Sequence, residues 1–588
     1  MKNWKVMTGY ETVPAAECDA DGCGVVRYAA VYKTVRKHNI RCTGKGVIAI
    51  VLLAGLLGII CYVPGAASLV QRNSDIRSYG GVSDIAFVDF SVPGYKEYME
   101  AYEARYPKTE VRVEAGDCVR YEEKNVGMEP VFYRDYEGMD GISIYTGTDT
   151  LAEFEVTVDE EGFYNLEMEY YPLKGTGADI ERRILIDGQL PYRELSRVRY
   201  DRIWRRGTEA SDGIGKDTGG YCRGADEPGH DGNSGMMEIT EWTVSKSYDG
   251  TGIVADPLAV YLTAGKHTIA LGSVKEAMLI HQIILRNEKP VQEYAQVKAF
   301  WDAVGIKATS GQEVRIEAEH VAKTSFRTLH PVRNQTSSTV RRTGGNRNPD
   351  NCVDGEVWGE AGQWAEWEFD VEESGYYHIT LYNCQNYVKE AGVCRKIMID
   401  GVVPFAEMKD YHFTYGRNWR EDVISDDTGT PYVFYLKQGH HRIRMEAVLG
   451  NLSDIVNDVR EEVWQINEIY CHVMDAAGTE EENCEAGKLT ETWPDLQEDI
   501  VIVRTKTDET INKLQTLTGR HSDGVKVLTA MRDALDELTR DVGHRNQNMR
   551  RVRESMYACS SWADGIMCQP LAIDCIRIVS ADVDIGNG

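Results

Sequence analysis

A chain of 588 residues is too long for one hydrophobic core, so three or four folding units are expected. Hydrophobic residues at 42% and charged residues at 27% are ordinary for globular protein. The excess of 93 acidic over 65 basic residues, a formal charge of −28, argues against a nucleic-acid partner, which needs a basic face.

Residues 1–45 read as a poorly structured segment with Arg36, Lys37, Arg41 and Lys45 gathered towards its end. From Val47 to Val63 the chain carries no charge. At about 1.5 Å per residue this run nearly spans a hydrocarbon core of about 30 Å. The basic flank lies before it, so an uncleaved signal anchor over 46–64 is expected, with the N-terminus cytoplasmic and the bulk of the chain extracellular. A cleaved signal peptide at Gly65-Ala66-Ala67 needs an unusually long leading region. Lipidation at Cys61 lacks small residues before it.

Residues 65–110 follow as a juxtamembrane linker, in which Tyr95, Tyr98, Tyr102 and Tyr106 recur at helical spacing as a packing face. Next comes an internal repeat. Val111-Arg112-Val113-Glu114-Ala115 returns as Val314-Arg315-Ile316-Glu317-Ala318, and Phe154 to Val158 returns as Trp367 to Val371. Tyr164, Leu166 and Met168 return as Tyr377, Ile379 and Leu381. The element Asp-Gly-x-x-Pro-aromatic-x-Glu stands at Asp187–Glu194 and at Asp400–Glu407. Arg202 to Arg205 is matched with Arg417 to Arg420, and Pro257 to His267 with Pro431 to His441.

Each copy is a series of short period-two strands punctuated by Gly and Asp, the pattern of an antiparallel sandwich or jelly roll. The expected class is mainly β: two tandem jelly-roll β-sandwich domains after a transmembrane helix, at 111–290 and 311–450, joined by a linker at 291–310. After Gly450 the apolar spacing becomes three and four, so 451–588 reads as a small α-helical bundle with a terminal strand at 571–579. The copies differ most in the Gly- and Asp-rich insertion of the first, Gly207 to Gly250, where a long loop on a rigid scaffold is a place to look for function.

The fourteen cysteines show no metal framework. Cys384 and Cys394 could pair across a hairpin, and scattered buried thiols are the plainer reading. No nucleophile-elbow, phosphate-loop or zinc-protease motif appears. Asp400 and Glu407 are the one tempting carboxylate pair for glycan cleavage, but Asp187 and Glu194 stand identically and turn chemistry accounts for the aspartates.

Ile316 to Glu319, Trp364 to Trp367, Gly375-Tyr376 and Leu436 to His441 together resemble the β-sandwich modules that bind carbohydrate, especially the family-six type. The wider layout, with its two Asp-Gly-x-x-Pro elements and Gln569 to Asp574, is similar to large Gram-positive extracellular solute-binding proteins of sugar ABC transporters. Their two solute-binding lobes are not in this sequence, which leaves an accessory or a fragment as the expectation.

The resemblance implies a non-catalytic, membrane-anchored glycan-binding protein working beside transporter components. A structural or assembly module and a divergent glycan-cleaving enzyme are the alternatives. Sugar-binding surfaces set aromatic rings against sugar faces and amides or carboxylates against hydroxyls. Candidates are Trp358, Trp364, Asn386, Tyr387 and Trp419 in the second copy, and Trp204, Trp242 and Tyr221 in the first. Trp204 and Trp419, recurring in both copies, look more like scaffold; Trp242 and Trp358, each in one copy only and in a loop-like context, are the better ligand candidates. By the same resemblance Glu317 and Glu319 would hold a structural calcium, a hard cation suited to oxygen ligands. The first copy has Glu114 and Asp117 there instead.

Overall fold

The computed structural model describes residues 90–124, 127–207, 235–287, 290–337, 350–477, 495–540 and 545–582. The expected membrane anchor, Tyr221, most of the Gly207–Gly250 insertion and the Glu-rich sequence 479–485 lie outside these residues. Among the described residues no helix is long and apolar enough to cross a membrane.

Two antiparallel β-sandwiches form, because alternate residues on each strand are apolar. In Thr150–Val158, Ala152, Phe154, Val156 and Val158 enter the core. In Trp364–Val371, Trp367, Phe369 and Val371 do so while Glu368 and Asp370 face solvent, as the alternation predicts.

The first sandwich packs a sheet centred on Gly162–Pro172 and Met278–Arg286 against one centred on Ile180–Ile186 and Gly265–Lys275. In the second, one sheet runs through Trp364–Val371, Gly439–Val448 and Val393–Ile399. The facing sheet orders Glu313–Glu317, Ala572–Ser580, Gly375–Cys384 and Arg420–Val423.

That order corrects the expected boundary at 450. Ala572–Ser580 is not an appendage of the helices but a central strand of the second sandwich, paired on both sides. It occupies the place that Met278–Arg286 holds in the first. The helices are therefore an insertion between the last two strands. They are α3 (Leu452–Ala477), α4 (Leu496–Thr518), α5 (Asp523–Arg540) and α6 (Arg545–Ile566). They pack as an antiparallel bundle around Val459, Ile466, Leu528, Leu535 and Val552. Periodicity found the helices, but it carries no information on which sheet the following strand joins.

The repeated Asp-Gly element has a full physical account. Asp187 and Gly188 have φ of 50° and 73°, and Asp400 and Gly401 have 52° and 79°, the two left-handed residues of a tight hairpin turn. Each aspartate reaches the adjacent strand. Asp187 Oδ2 lies 2.7 Å from His267 Nδ1, and Asp400 Oδ2 lies 2.7 Å from His441 Nδ1.

The glutamate that closes each element accepts a backbone N–H at the start of a helix. Glu194 takes Tyr95 N of α1 (Tyr95–Glu100) at 2.9 Å, and Glu407 takes Tyr294 N of α2 (Tyr294–Ala303) at 2.9 Å. The aromatic residue of each element packs on the same helix, Tyr192 against Tyr95 and Phe405 against Tyr294. Both helices, placed by sequence in linkers, thus belong to the repeat.

The two sandwiches are joined by backbone pairing. Ile203–Arg206 and Met236–Ile239 leave the first sandwich and extend a sheet of the second, where Trp204 pairs with Thr324.

Candidate functional site

Strand pairing redraws the equivalence of the tryptophans. In the first sandwich Thr243–Lys246 runs beside Gly162–Pro172, with Ser245 opposite Met168. In the second, Arg420–Val423 runs beside Gly375–Cys384, with Asp422 opposite Leu381. Since Met168 and Leu381 correspond, Trp242 and Trp419 occupy the same position, just before this edge strand. Trp204, matched with Trp419 by sequence, is instead a buried residue of the strand that crosses to the second sandwich. A four-residue pattern matched two different places.

Both equivalent tryptophans are half-buried and held by the indole edge. Trp242 donates Nε1–H to the Tyr136 carbonyl at 3.0 Å, and Trp419 donates to Thr336 Oγ1 at 2.9 Å. Each ring lies against a tyrosine on the outer side of the sheet: Tyr171 at 5.4 Å for Trp242, and Tyr382 at 5.6 Å, nearly parallel, for Trp419. Fixing the N–H and one neighbour orients the ring, which is what a stacking platform needs.

The surroundings differ. In the first sandwich aromatic rings continue from Tyr171 to Tyr136 and Tyr133, with centroid spacings of 5.3 and 5.5 Å. His281, the residue at a bulge in Met278–Arg286, lies 6.0 Å from Trp242. In the second sandwich Asp574 occupies the matching bulge and the neighbours are polar. Ser337 Oγ donates to Asp574 at 2.5 Å, Asn334 Nδ2 donates to Asp354 at 2.6 Å, and Tyr387 Oη donates to Asp354 at 3.1 Å. Burial, and then the Asp354 carboxylate, push the Tyr387 phenol well above its ordinary range, so it stays a donor.

Of the residues singled out by sequence, Trp242, Trp419, Asn386 and Tyr387 reach the surface. Asn386 is exposed and Tyr387 is 45% exposed, both on the loop after Gly375–Cys384. Trp204, Trp358 and Trp364 do not reach it. Trp358 is fully buried, because the turn in which its N–H bonds the Asp354 carbonyl tucks the ring inward. There it lies 6.0 Å from Trp367, beneath the Arg395 guanidinium.

Trp364 is 3% exposed and faces the other sandwich, donating Nε1–H to Asp201 at 2.7 Å. Neither Trp358 nor Trp364 offers a ring face to a ligand. Cys384 and Cys394 are buried free thiols.

For calcium, Glu319 Oε2 is buried with no hydrogen-bond partner, and burial, with Glu317 and Asp574 nearby, raises its pKa. Glu317 pairs with Arg315 at 3.0 Å. Among the described residues no three His, Cys, Asp or Glu side chains stand where they could hold a metal ion. The donor chemistry suits a hard cation, yet the set is represented by one orphaned oxygen. In the first copy Glu114 and Asp117 cap a short 3-10 turn.

No family model matches the chain and no curated protein matches it. Among solved structures it is similar to a family 35 carbohydrate binding module from Clostridium thermocellum at 14% identity, over 31% of this chain and 99% of that one, with a TM-score of 0.19. It is also similar to the C-terminal CBM6 of LamC from Zobellia galactanivorans, at 10% identity over 30% and 100%, with a TM-score of 0.17. A third is the GH26-CBM35 β-(1,4)-mannanase of Podospora anserina, at 13% identity over 33% and 35%, with a TM-score of 0.18. At these values the likenesses carry no argument about function.

Proposed function

We propose that the protein is a non-catalytic glycan-binding protein whose two binding stations are centred on Trp242 and Trp419. The observation that carries this reading is the recurrence, at one structural position in both sandwiches, of a half-buried tryptophan held by its N–H beside a tyrosine. Indole faces suit the apolar faces of sugars, and the polar groups around Asp354 and Asn334 suit their hydroxyls. Asp400 and Glu407 have structural partners in His441 and the start of α2, which supports a binding rather than a cleaving role.

The uncharged run Val47–Val63 supports a membrane anchor with the sandwiches outside the cell. Work beside a sugar importer rests on the family resemblance alone. A calcium ion at Glu319 would answer its orphaned oxygen; a rise in melting temperature with calcium that is lost in Glu319→Gln tests this.

The binding reading is tested by affinity electrophoresis through xylan, galactomannan, β-glucan and dextran. Retardation by at least one polysaccharide, abolished in the Trp242→Ala/Trp419→Ala double variant, is expected. Unretarded, folded wild-type protein on all four overturns it.

A further inference from the structure

We propose that the two stations form one rigid bivalent reader, and that the partner is a polysaccharide long enough to occupy both at once. This rests on the binding reading above and deepens it.

Two separate binding modules on a flexible linker would sample many relative positions, whereas here the geometry is locked. The first sandwich contributes Ile203–Arg206 and Met236–Ile239 to a sheet of the second. Side chains close the same junction. Arg199 Nη2 donates to the Gly362 carbonyl at 3.1 Å, Lys396 Nζ to the Ala255 carbonyl at 2.7 Å, and Trp364 Nε1 to Asp201 at 2.7 Å. Arg199, Trp364 and Lys396 are all buried there.

One stretch of chain touches both stations. Lys323 Nζ pairs at 3.1 Å with Glu241, the neighbour of Trp242. Further along the same segment, Thr336 Oγ1 accepts the Trp419 indole N–H. Fully extended, Lys323 to Thr336 would span at most about 47 Å. The turns that bond Leu329 N to the Phe326 carbonyl and Thr336 N to Asn334 Oδ1 make it shorter. A second tie runs from Arg206 to Asp350 at 2.8 Å, next to Asn351, which accepts the Asn334 N–H.

Two sites held rigidly at the two ends of one short segment turn the second contact of a polymer into an intramolecular event. The gain can reach about 10²–10⁴ in affinity without any new contact.

The test titrates the full chain with the four polysaccharides and with their tetrasaccharides. The polymer that binds should do so at least about tenfold more tightly per station than its tetrasaccharide. A size series of fragments should show a step once a fragment spans both stations. Trp242→Ala and Trp419→Ala should each remove that step and leave tetrasaccharide binding at the remaining station.

Equal affinity for polymer and tetrasaccharide, or no step along the series, overturns bivalency and leaves the binding reading intact. These two measurements use wild-type protein, so they hold even where a variant misfolds. Absence of all binding by the wild type overturns both readings.

Discussion

The two sandwiches close the same central strand in opposite ways. In the first, Gly265–Lys275 passes to Met278–Arg286 through Glu276 and Ala277 alone, with Glu276 at φ 56°. In the second, residues 449–571 intervene before Ala572–Ser580 takes the matching place. A hairpin tip projects from the end of a sheet, so a domain can be inserted there without disturbing the ladder. The entropic penalty of a longer closure grows only logarithmically with length. The strand's place is set by its pairing partners and its buried Ile573, Ile576 and Ile578, not by its distance along the chain.

The sharpest break of this comparison is a chain truncated after residue 566. It removes a strand paired on both sides, and with it three isoleucines worth roughly 1.5–3 kcal/mol each in burial alone. Together with the lost ladders this approaches the whole stability of a domain, about 5–15 kcal/mol. The second sandwich should become protease-sensitive while the first stays resistant. Replacing residues 449–571 by Glu-Ala should restore resistance, because it rebuilds the closure the first sandwich already uses.

A smaller effect separates two equivalent arginines, Arg182 and Arg395, both fully buried and both pulled down to about 9 by that burial. Arg182 donates to the carbonyls of Glu181, Lys275 and Glu276 and to Thr146 Oγ1, and so clamps the hairpin. Arg395 has no hairpin to clamp. It donates to the Cys394 carbonyl and stacks 4.3 Å above Trp358. Arg182→Met should destabilise by about 3–5 kcal/mol, since it orphans several buried acceptors. Arg395→Met should cost about 1 kcal/mol or less. Equal losses in thermal unfolding would show that the guanidinium does not serve the hairpin.

Next in size is a pH effect that compares the first sandwich with the bundle. Glu194 is pushed up to about 7 by burial and by Asp249. Glu462, buried on α3 and bonded by Thr507 and Thr510 of α4, is pushed up to about 7 by burial. A carboxyl whose pKa rises on folding binds its proton more tightly in the native state. Its contribution is complete below the ordinary value of 4.5 and is lost as pH climbs through about 7. Each group should therefore weaken its region by up to about 3 kcal/mol between about pH 5 and 7.5. Glu462→Gln should flatten that slope for the bundle alone, and Glu194→Gln for the first sandwich alone, as read by hydrogen exchange.

Much of this architecture was legible in the residues. Alternation in Trp364–Val371 gave the correct inward face, and the doubled Asp-Gly element gave the repeat and its turn. Three-and-four spacing gave the bundle. What could not be read was pairing between distant strands. The apolar run 571–579 looks the same whether it edges a bundle or completes a sheet. Trp358, one of the eight candidate ligand contacts, sits in a loop and is nonetheless core, since a turn can aim a ring inward. Trp419, a candidate contact, looks more like scaffold only while it is matched to Trp204 by local pattern. Its true counterpart, Trp242, is recognisable only from the register of the neighbouring strand.

The smallest prediction concerns what the copies share. Asp187 and Asp400 each bond a histidine at 2.7 Å and accept a backbone N–H on the same strand, Thr268 at 2.8 Å and Arg442 at 2.9 Å. Asparagine tolerates the left-handed backbone at these positions, so Asp→Asn isolates the carboxylate's link to the histidine from any turn strain. Both aspartates are about half exposed, which limits each loss to about 1 kcal/mol or less. Asp187→Asn and Asp400→Asn should therefore cost equal amounts in denaturant unfolding. A larger loss at Asp400 would mean that the second sandwich, lacking a short hairpin on the far side of its sheet, depends more heavily on the turn it has kept.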